Sequence, residues 1–435
     1  MHLPELKMKL PTEVEGRQQL ADEIHARPFE PLSTPGAALA IATLREGPDD
    51  DALCIAHLAR LGGEASGAGA ATQCQVRCGA LRVRWERHTE FHTFTVFTDL
   101  AELAMDHAFD TGWLDALPHD WLASLPGRMI SATQLAVLPC PGDPPHARVV
   151  APLFGSDLLV GNRVAEGAAT VVSDLRTKAG VTRFLVFDHA MNRRRAGRTV
   201  QRLIEVDTYR MMALRSLPLA SRRMGQLAAE ETQLASLMAR FHDATDSDEV
   251  LLHELVTLAA QVEHAMAENS ARFAATRAYS GIVNQRLLDL REILVPGLQP
   301  LSEFLERRFR PAMDSCAATA ARQAQLSERI ARAAQLLQTR SEVERERQNQ
   351  ALLSSLDRRQ GLQLRLQETV EGLSVIAMTY YGVGLSNYLL KPLAKAMGWH
   401  ETAVTLVAVP VIALLVLLNV RRLRRHLHRS TDSQV

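Results

Sequence analysis

Hydrophobic positions fall into two regimes along the chain. In residues 1–190 they come as short runs separated by Pro/Gly-rich turns such as GPDDD and CPGDPP, and from Arg194 onward they recur with the period of a helix. The short runs Ala38–Leu44, Leu81–Phe97, Arg128–Leu138, Leu158–Gly161 and Phe184–Phe187 predict strands, with helix-like stretches between several of them. An α/β domain over 1–190 follows, and then a helical domain over 191–371 interrupted at Leu217-Pro218, Val295-Pro296-Gly297, Pro300 and Pro311. Thirteen of the 19 prolines lie in 1–152 and none between Met313 and Lys391, so one long helix is predicted there. Leu326, Ile330, Ala333 and Leu337 keep an apolar seam that Arg340, Glu344 and Arg347 break. That predicts packing against the preceding helix or around an oligomer axis, not a free coiled coil.

Two uncharged runs close the chain, Gly372–Leu390 and Thr402–Val420, each bounded by charges. Their length predicts a two-helix transmembrane hairpin over 372–420 with a basic tail over 421–435. Arg421, Arg422, Arg424, Arg425 and Arg429 outnumber Lys391 and Lys395 of the connector, which predicts that both termini lie on the cytoplasmic side. MHLPELKMKL carries no apolar signal segment. Ser374, Thr379, Ser386 and Asn387 are candidate pore-lining groups, and Gly372, Gly382 and Gly384 are candidate sites of close helix packing.

Composition narrows the partners. Lys+Arg and Asp+Glu both total 49, which argues against a nucleic-acid partner and sends the search for charge to local clusters. Five scattered cysteines give no disulfide framework and suit a reducing compartment.

Three clusters carry candidate chemistry. Read as one strand, LRVRWERHTEFHTFTVF places Glu86, His88, Glu90 and His92 on one face and Trp85, Phe91 and Phe97 on the other. His88, Glu90 and His92 would suit a divalent cation such as zinc, against the plainer reading of an exposed polar face. Arg193, Arg194, Arg195, Arg198 and Arg202 gather at the start of a helix. They would bind an anion, a lipid headgroup or a partner, or form solvated ion pairs. DEIHARPFEPL crowds Asp22, Glu23, His25 and Arg27 ahead of Pro28, either for acid/base work or to lock an N-terminal arm onto the body. Cys74-x-x-x-Cys78 lacks a second pair for zinc, GGEASGAGA lacks the ending of a phosphate loop, and no nucleophile elbow, Rossmann fingerprint or kinase signature occurs.

DEIHARPFEPL, WERHTEF, AMNRRRAGRTVQRLIEVDTYRMMAL, YSGIVNQRL and QLRLQETVEGLSVIAMTYYGVGL together resemble the bacterial membrane-anchored family catalogued as domain of unknown function 3422. The resemblance implies a cytoplasmic body and a C-terminal membrane hairpin in a bacterial inner membrane, and carries no catalytic residue. The layout is also similar to the CorA-type magnesium channels, which are homopentamers with Gly-Met-Asn at the outer end of the first span. Here Tyr381-Gly382-Val383-Gly384 stands mid-span without the Met-Asn pair. The expected function is a membrane-anchored scaffold or regulatory binding protein acting through the arginine cluster, homo-oligomeric and without a required cofactor. A CorA-like divalent-cation channel is the alternative, and an enzyme built on His25 or on His88 and His92 is the least favoured reading.

Overall fold

The alternating runs of the front half assemble into one sheet. The computed structural model describes residues 11–17, 29–66, 72–156, 158–397 and 401–431, with the side chains of 64–66, 390–397, 401–405 and 423–431 set aside. In chain order the elements are β1 (Gly36–Leu44), α1 (Asp50–Ala59), β2 (Glu64–Ser66), β3 (Gln73–Cys78), β4 (Leu81–Arg87), β5 (Phe91–Asp99), β6 (Met129–Pro139), α2 (Ala147–Phe154), β7 (Val160–Val164), β8 (Ala169–Lys178) and β9 (Val181–Asp188). Helices follow: α3 (Arg193–Leu214), α4 (Leu217–Asp243), α5 (Asp248–Leu290), α6 (Leu301–Arg308), α7 (Arg310–Met397) and α8 (Glu401–Thr431). The chain divides into two compact units, 1–334 and 335–435, and the expected boundary near residue 190 falls between β9 and α3, inside the first.

The nine strands run β2-β3-β4-β5-β1-β6-β9-β8-β7, all antiparallel neighbours except the parallel pair β6 and β9. The two faces are covered differently. One packs Ala38, Ala40, Phe97, Leu135, Val137, Val171 and Val186 against Val200, Leu203 and Met212 of α3 and Val283 of α5. The other buries Trp85, Phe94 and Val96 with Cys54 and Leu58 of α1 and with Trp121, and farther along packs Leu138, Leu185 and Phe187 against Val150 and Phe154 of α2.

Local signals set the helix ends. The Asn192 side chain accepts the Arg195 N–H at 2.9 Å and starts α3, and Ser247 caps α5 in the same way. Leu326, Ile330 and Ala333 of α7 are buried, and from Arg340 to Val370 the helix is almost wholly exposed, where the polar segment begins.

The second unit corrects the membrane reading. Among the described residues no helix is long and apolar enough to cross a membrane. In α7, glycine, serine, asparagine and three tyrosines dilute the aliphatic residues from Gly372 onward. The transmembrane hairpin over 372–420, the inner-membrane placement with both termini cytoplasmic, and the CorA-like layout built on them are therefore overturned. Ser374 and Thr379 donate their hydroxyls to the Val370 and Val375 carbonyls of their own helix. A Cβ on Gly382 would lie 2.8 Å from Ile412 of α8, whereas Gly372 and Gly384 meet nothing within 4 Å.

Two imidazoles in the first unit make stability depend on pH. His57 donates Nε2–H to the Trp121 carbonyl at 3.0 Å, and Arg60 donates to its Nδ1 at 3.3 Å, so the ring is held neutral. Burial lowers the affinity of both His57 and His92 for a proton. Their folded pKa values lie below the ordinary 6.5, so on acidification the unfolded chain takes up protons first. Their contribution to stability is full above about pH 6.5 and falls as the pH drops below it. The urea midpoint is expected to decline from pH 7 to pH 5, and less steeply in His57→Gln; a midpoint flat across that window would refute the assignment.

Candidate functional site

The strongest candidate is a chamber of about 250 Å³ under α3, walled by β4, β5, α3 and α5. Strand parity builds its floor. Leu81, Val83 and Trp85 of β4 point to the apolar cluster, so Arg84 and Glu86 point to the opposite face. Cross-strand pairing sets Thr95 beside Arg84 and Thr93 beside Glu86, with Phe91 completing the row. Helix period builds the roof, because Gln201, Ile204, Glu205, Thr208 and Tyr209 fall on one face of α3, and Arg286 of α5 closes the side.

Burial makes this polar floor unusual. Arg84 is 4% exposed and Glu86 6%, where charged residues persist only if paired or ligated. Yet they meet at 3.4 Å, and Thr93 reaches Glu86 at 3.5 Å and His88 at 3.4 Å. Tyr209 Oη lies 3.4 Å from His88 Nδ1. Such separations sit well beyond the usual 2.7–3.0 Å. His88 also stacks on Phe91 with ring centroids 4.2 Å apart, and the Arg84 guanidinium covers the Phe97 ring. By contrast, Glu205 accepts Gln201 Nε2 at 2.9 Å and the Arg286 guanidinium, which also reaches Asp289 at 3.1 Å. Among the described residues, Glu86 Oε1 and Gln201 Oε1 are buried acceptors with no hydrogen-bond partner.

The structure does not bring the expected metal trio together. His88–Glu90 form the turn of a hairpin, so LRVRWERHTEFHTFTVF is two strands and the parity reverses. Glu90 accepts two bonds from Arg272 at 2.9 and 3.0 Å and one from Tyr279 at 2.9 Å. Burial and Glu90 raise the pKa of that phenol, keeping it a donor. His92 stands on the other face beside Trp85, 3.5 Å from Asp51. Among the described residues no three His, Cys, Asp or Glu side chains cluster as a metal site.

The arginine cluster is largely spent inside the fold. Arg193 pairs with Asp99 at 3.0 Å, Arg195 with Glu166 at 2.8 Å, and Arg198 lies over Phe29. Arg194 and Arg202 have no ion-pair partner among the described residues, and Arg194 is the exposed one of the two. Asp99 also takes a fork of two bonds from Arg82 at 3.1 Å and the Ser33 N–H at 2.9 Å. Burial works against its ionised form, and these donors outweigh it and hold the carboxyl below its ordinary range. Together with Arg82–Glu30 at 2.6 Å, the contacts clamp the segment from Phe29 to Ser33 across α3. Asp22, Glu23, His25 and Arg27 lie outside the described residues.

A second cleft lies at the carboxyl ends of the parallel pair β6 and β9, around Thr34, Cys140, Asp188 and His189. Its polar groups are already matched. Asp188 accepts from the Thr34 hydroxyl at 2.6 Å and from Met191 N–H at 2.7 Å, while His189 donates Nδ1–H to the Cys140 carbonyl at 2.7 Å and accepts from Thr170 at 2.8 Å. The chamber is therefore the better candidate.

The family model for a protein of unknown function, DUF3422, matches residues 12–427. The chain belongs to the DUF3422 family. Among curated proteins, none matches it. In this DUF3422 protein the matched span holds both the chamber and the arginine clamp. Residue patterns do not single out Arg84, Thr93, Thr95, Gln201 or Arg286, and they place Glu205 and Tyr209 in a salt-bridge stripe with Arg198 and Arg202, whereas Glu205 pairs with Arg286. The available signals were the polar face alternating with Leu81, Val83 and Trp85, and the polar stripe at 201, 205 and 208.

Proposed function

We propose that this DUF3422 protein is a regulatory binding protein that takes a small polar ligand into the chamber between β4, β5 and α3. One observation carries the reading: Glu86, over nine-tenths buried, faces a cavity with its Oε1 left without a hydrogen-bond partner among the described residues. A buried carboxylate oxygen without a donor costs roughly 1–3 kcal/mol or more, and a ligand donor recovers that cost. The volume falls below the roughly 300–1,000 Å³ of drug-sized sites, which argues for a small metabolite over a nucleotide. The arginine cluster is not the main recognition surface in this reading, because three of its five members are engaged within the fold by Asp99, Glu166 and Phe29.

Thermal-shift screening of the full chain against a polar metabolite library tests it. At least one compound is expected to raise the midpoint of the native chain and to lose that effect in Thr95→Met, which fills the chamber. If no compound does so, or if every shift persists in Thr95→Met, the reading fails.

A further inference from the structure

We infer that the chamber's ligand is a small uncharged polyhydroxy compound, a polyol or a single sugar, whose hydroxyls donate to Glu86 and Gln201; this rests on the ligand reading above. Hydrogen-bond direction is the first argument. Gln201 turns its NH₂ toward the Glu205 carboxylate at 2.9 Å, and a carboxylate only accepts, so the amide oxygen is an acceptor. Glu86 Oε1 is a second. Both atoms are buried and have no hydrogen-bond partner among the described residues. A ligand that satisfies them must donate twice. Because Glu86 belongs to the floor strand and Gln201 to the roofing helix, its two donors fall on different edges of the molecule.

Charge is the second, independent argument, and it selects hydroxyls over charged donors. The lining sets two guanidinium groups, Arg84 and Arg286, against two carboxylates, Glu86 and Glu205. Each carboxylate already has its counter-charge, Glu86 in Arg84 at 3.4 Å and Glu205 in Arg286. An ammonium would add a third positive charge to this balanced interior, and a ligand carboxylate or phosphate a third negative one. An O–H donates to a carboxylate through a charge-assisted bond and adds no charge. Thr93 and Thr95 line the same floor with hydroxyls of either role, and Phe91 and Ile204 offer a carbon skeleton an apolar wall. The volume of about 250 Å³ equals roughly eight waters at about 30 Å³ each. That admits one sugar ring and not two.

Calorimetry and thermal shift on the full chain test the inference with glycerol, xylitol, myo-inositol, ribose, glucose, galactose and mannose as probes. Millimolar concentrations keep them below the range in which such solutes stabilise proteins in general. For the best binder, analogues with one hydroxyl replaced by an amine or by a carboxylate are run in parallel. One uncharged probe is expected to bind, with both charged analogues and Glu86→Gln each weakening binding roughly tenfold or more. Gln201→Leu, at a half-buried helical position, gives the same readout should Glu86→Gln fold poorly. Full affinity for either charged analogue, or in either variant that folds, overturns the uncharged polyhydroxy ligand. If the polyols and sugars are silent while another library compound shifts the native chain and not Thr95→Met, that ligand class falls and the chamber stands. Silence from both sets removes both.

Discussion

Replacing Gly197 with valine is expected to cost about 3 kcal/mol or more of folding stability. Gly197 sits in α3 where the N-terminal segment crosses it. A Cβ there would lie 2.0 Å from the Glu30 carbonyl oxygen, 2.9 Å from its carbon and 3.3 Å from Pro31 Cα. These are backbone atoms, so no side chain can swing away. Nor can the crossing segment lift, because Leu32 N–H donates to the Arg193 carbonyl at 3.1 Å and Arg82 grips Glu30 and Asp99. Gly225 in α4 is the control, having nothing within 4 Å of a Cβ. Gly225→Ala should stabilise by about 0.5–1 kcal/mol through helix propensity. Urea unfolding of both variants checks the pair, and equal effects would show that the crossing is not as tight as described.

Removing the carboxylate of Asp207 is expected to cost about 3–5 kcal/mol, since it leaves a charge uncompensated in the interior. Asp207 is fully buried on α3, accepts the Thr133 hydroxyl of β6 at 2.8 Å and pairs with Arg210, whose other amino group reaches the Leu175 carbonyl at 3.4 Å. This is the fastening between the sheet and the helix that roofs the chamber. Asp207→Ala combined with Arg210→Met should lose less than Asp207→Ala alone, because the stranded guanidinium is then gone too. A double variant as unstable as the sum of the two single variants would refute the coupling.

Much of the first unit was legible in the residues. Ala38–Leu44 and Arg128–Leu138 correspond closely to β1 and β6, and the interruption at Pro218 marks the start of α4. Leu81–Phe97 misled because nothing in that string signals a turn strongly: His88-Thr89-Glu90 holds neither glycine nor proline, so two strands read as one and the parity of every residue after the turn was inverted. β3 and β8 were missed, the first beside a Gly/Ala-rich stretch and the second rich in polar residues at its end. The uncharged C-terminal runs read as spans on their length and charged edges, whereas no described helix is long and apolar enough to cross a membrane.

Sequence by itself determined that a strand-rich front precedes a helical rear, that Arg84 and Glu86 share one face of their strand opposite Trp85, and that Gln201 and Glu205 share one face of theirs. Period and parity are local, so each element carries them within its own residues. What faces what was decided by the tertiary structure alone. A polar strand face normally meets water, and only the seating of α3 and α5 over β4 and β5 turned this one into a buried chamber. The same packing spent Arg193, Arg195 and Arg198 on Asp99, Glu166 and Phe29, residues distant in sequence whose approach no local pattern encodes.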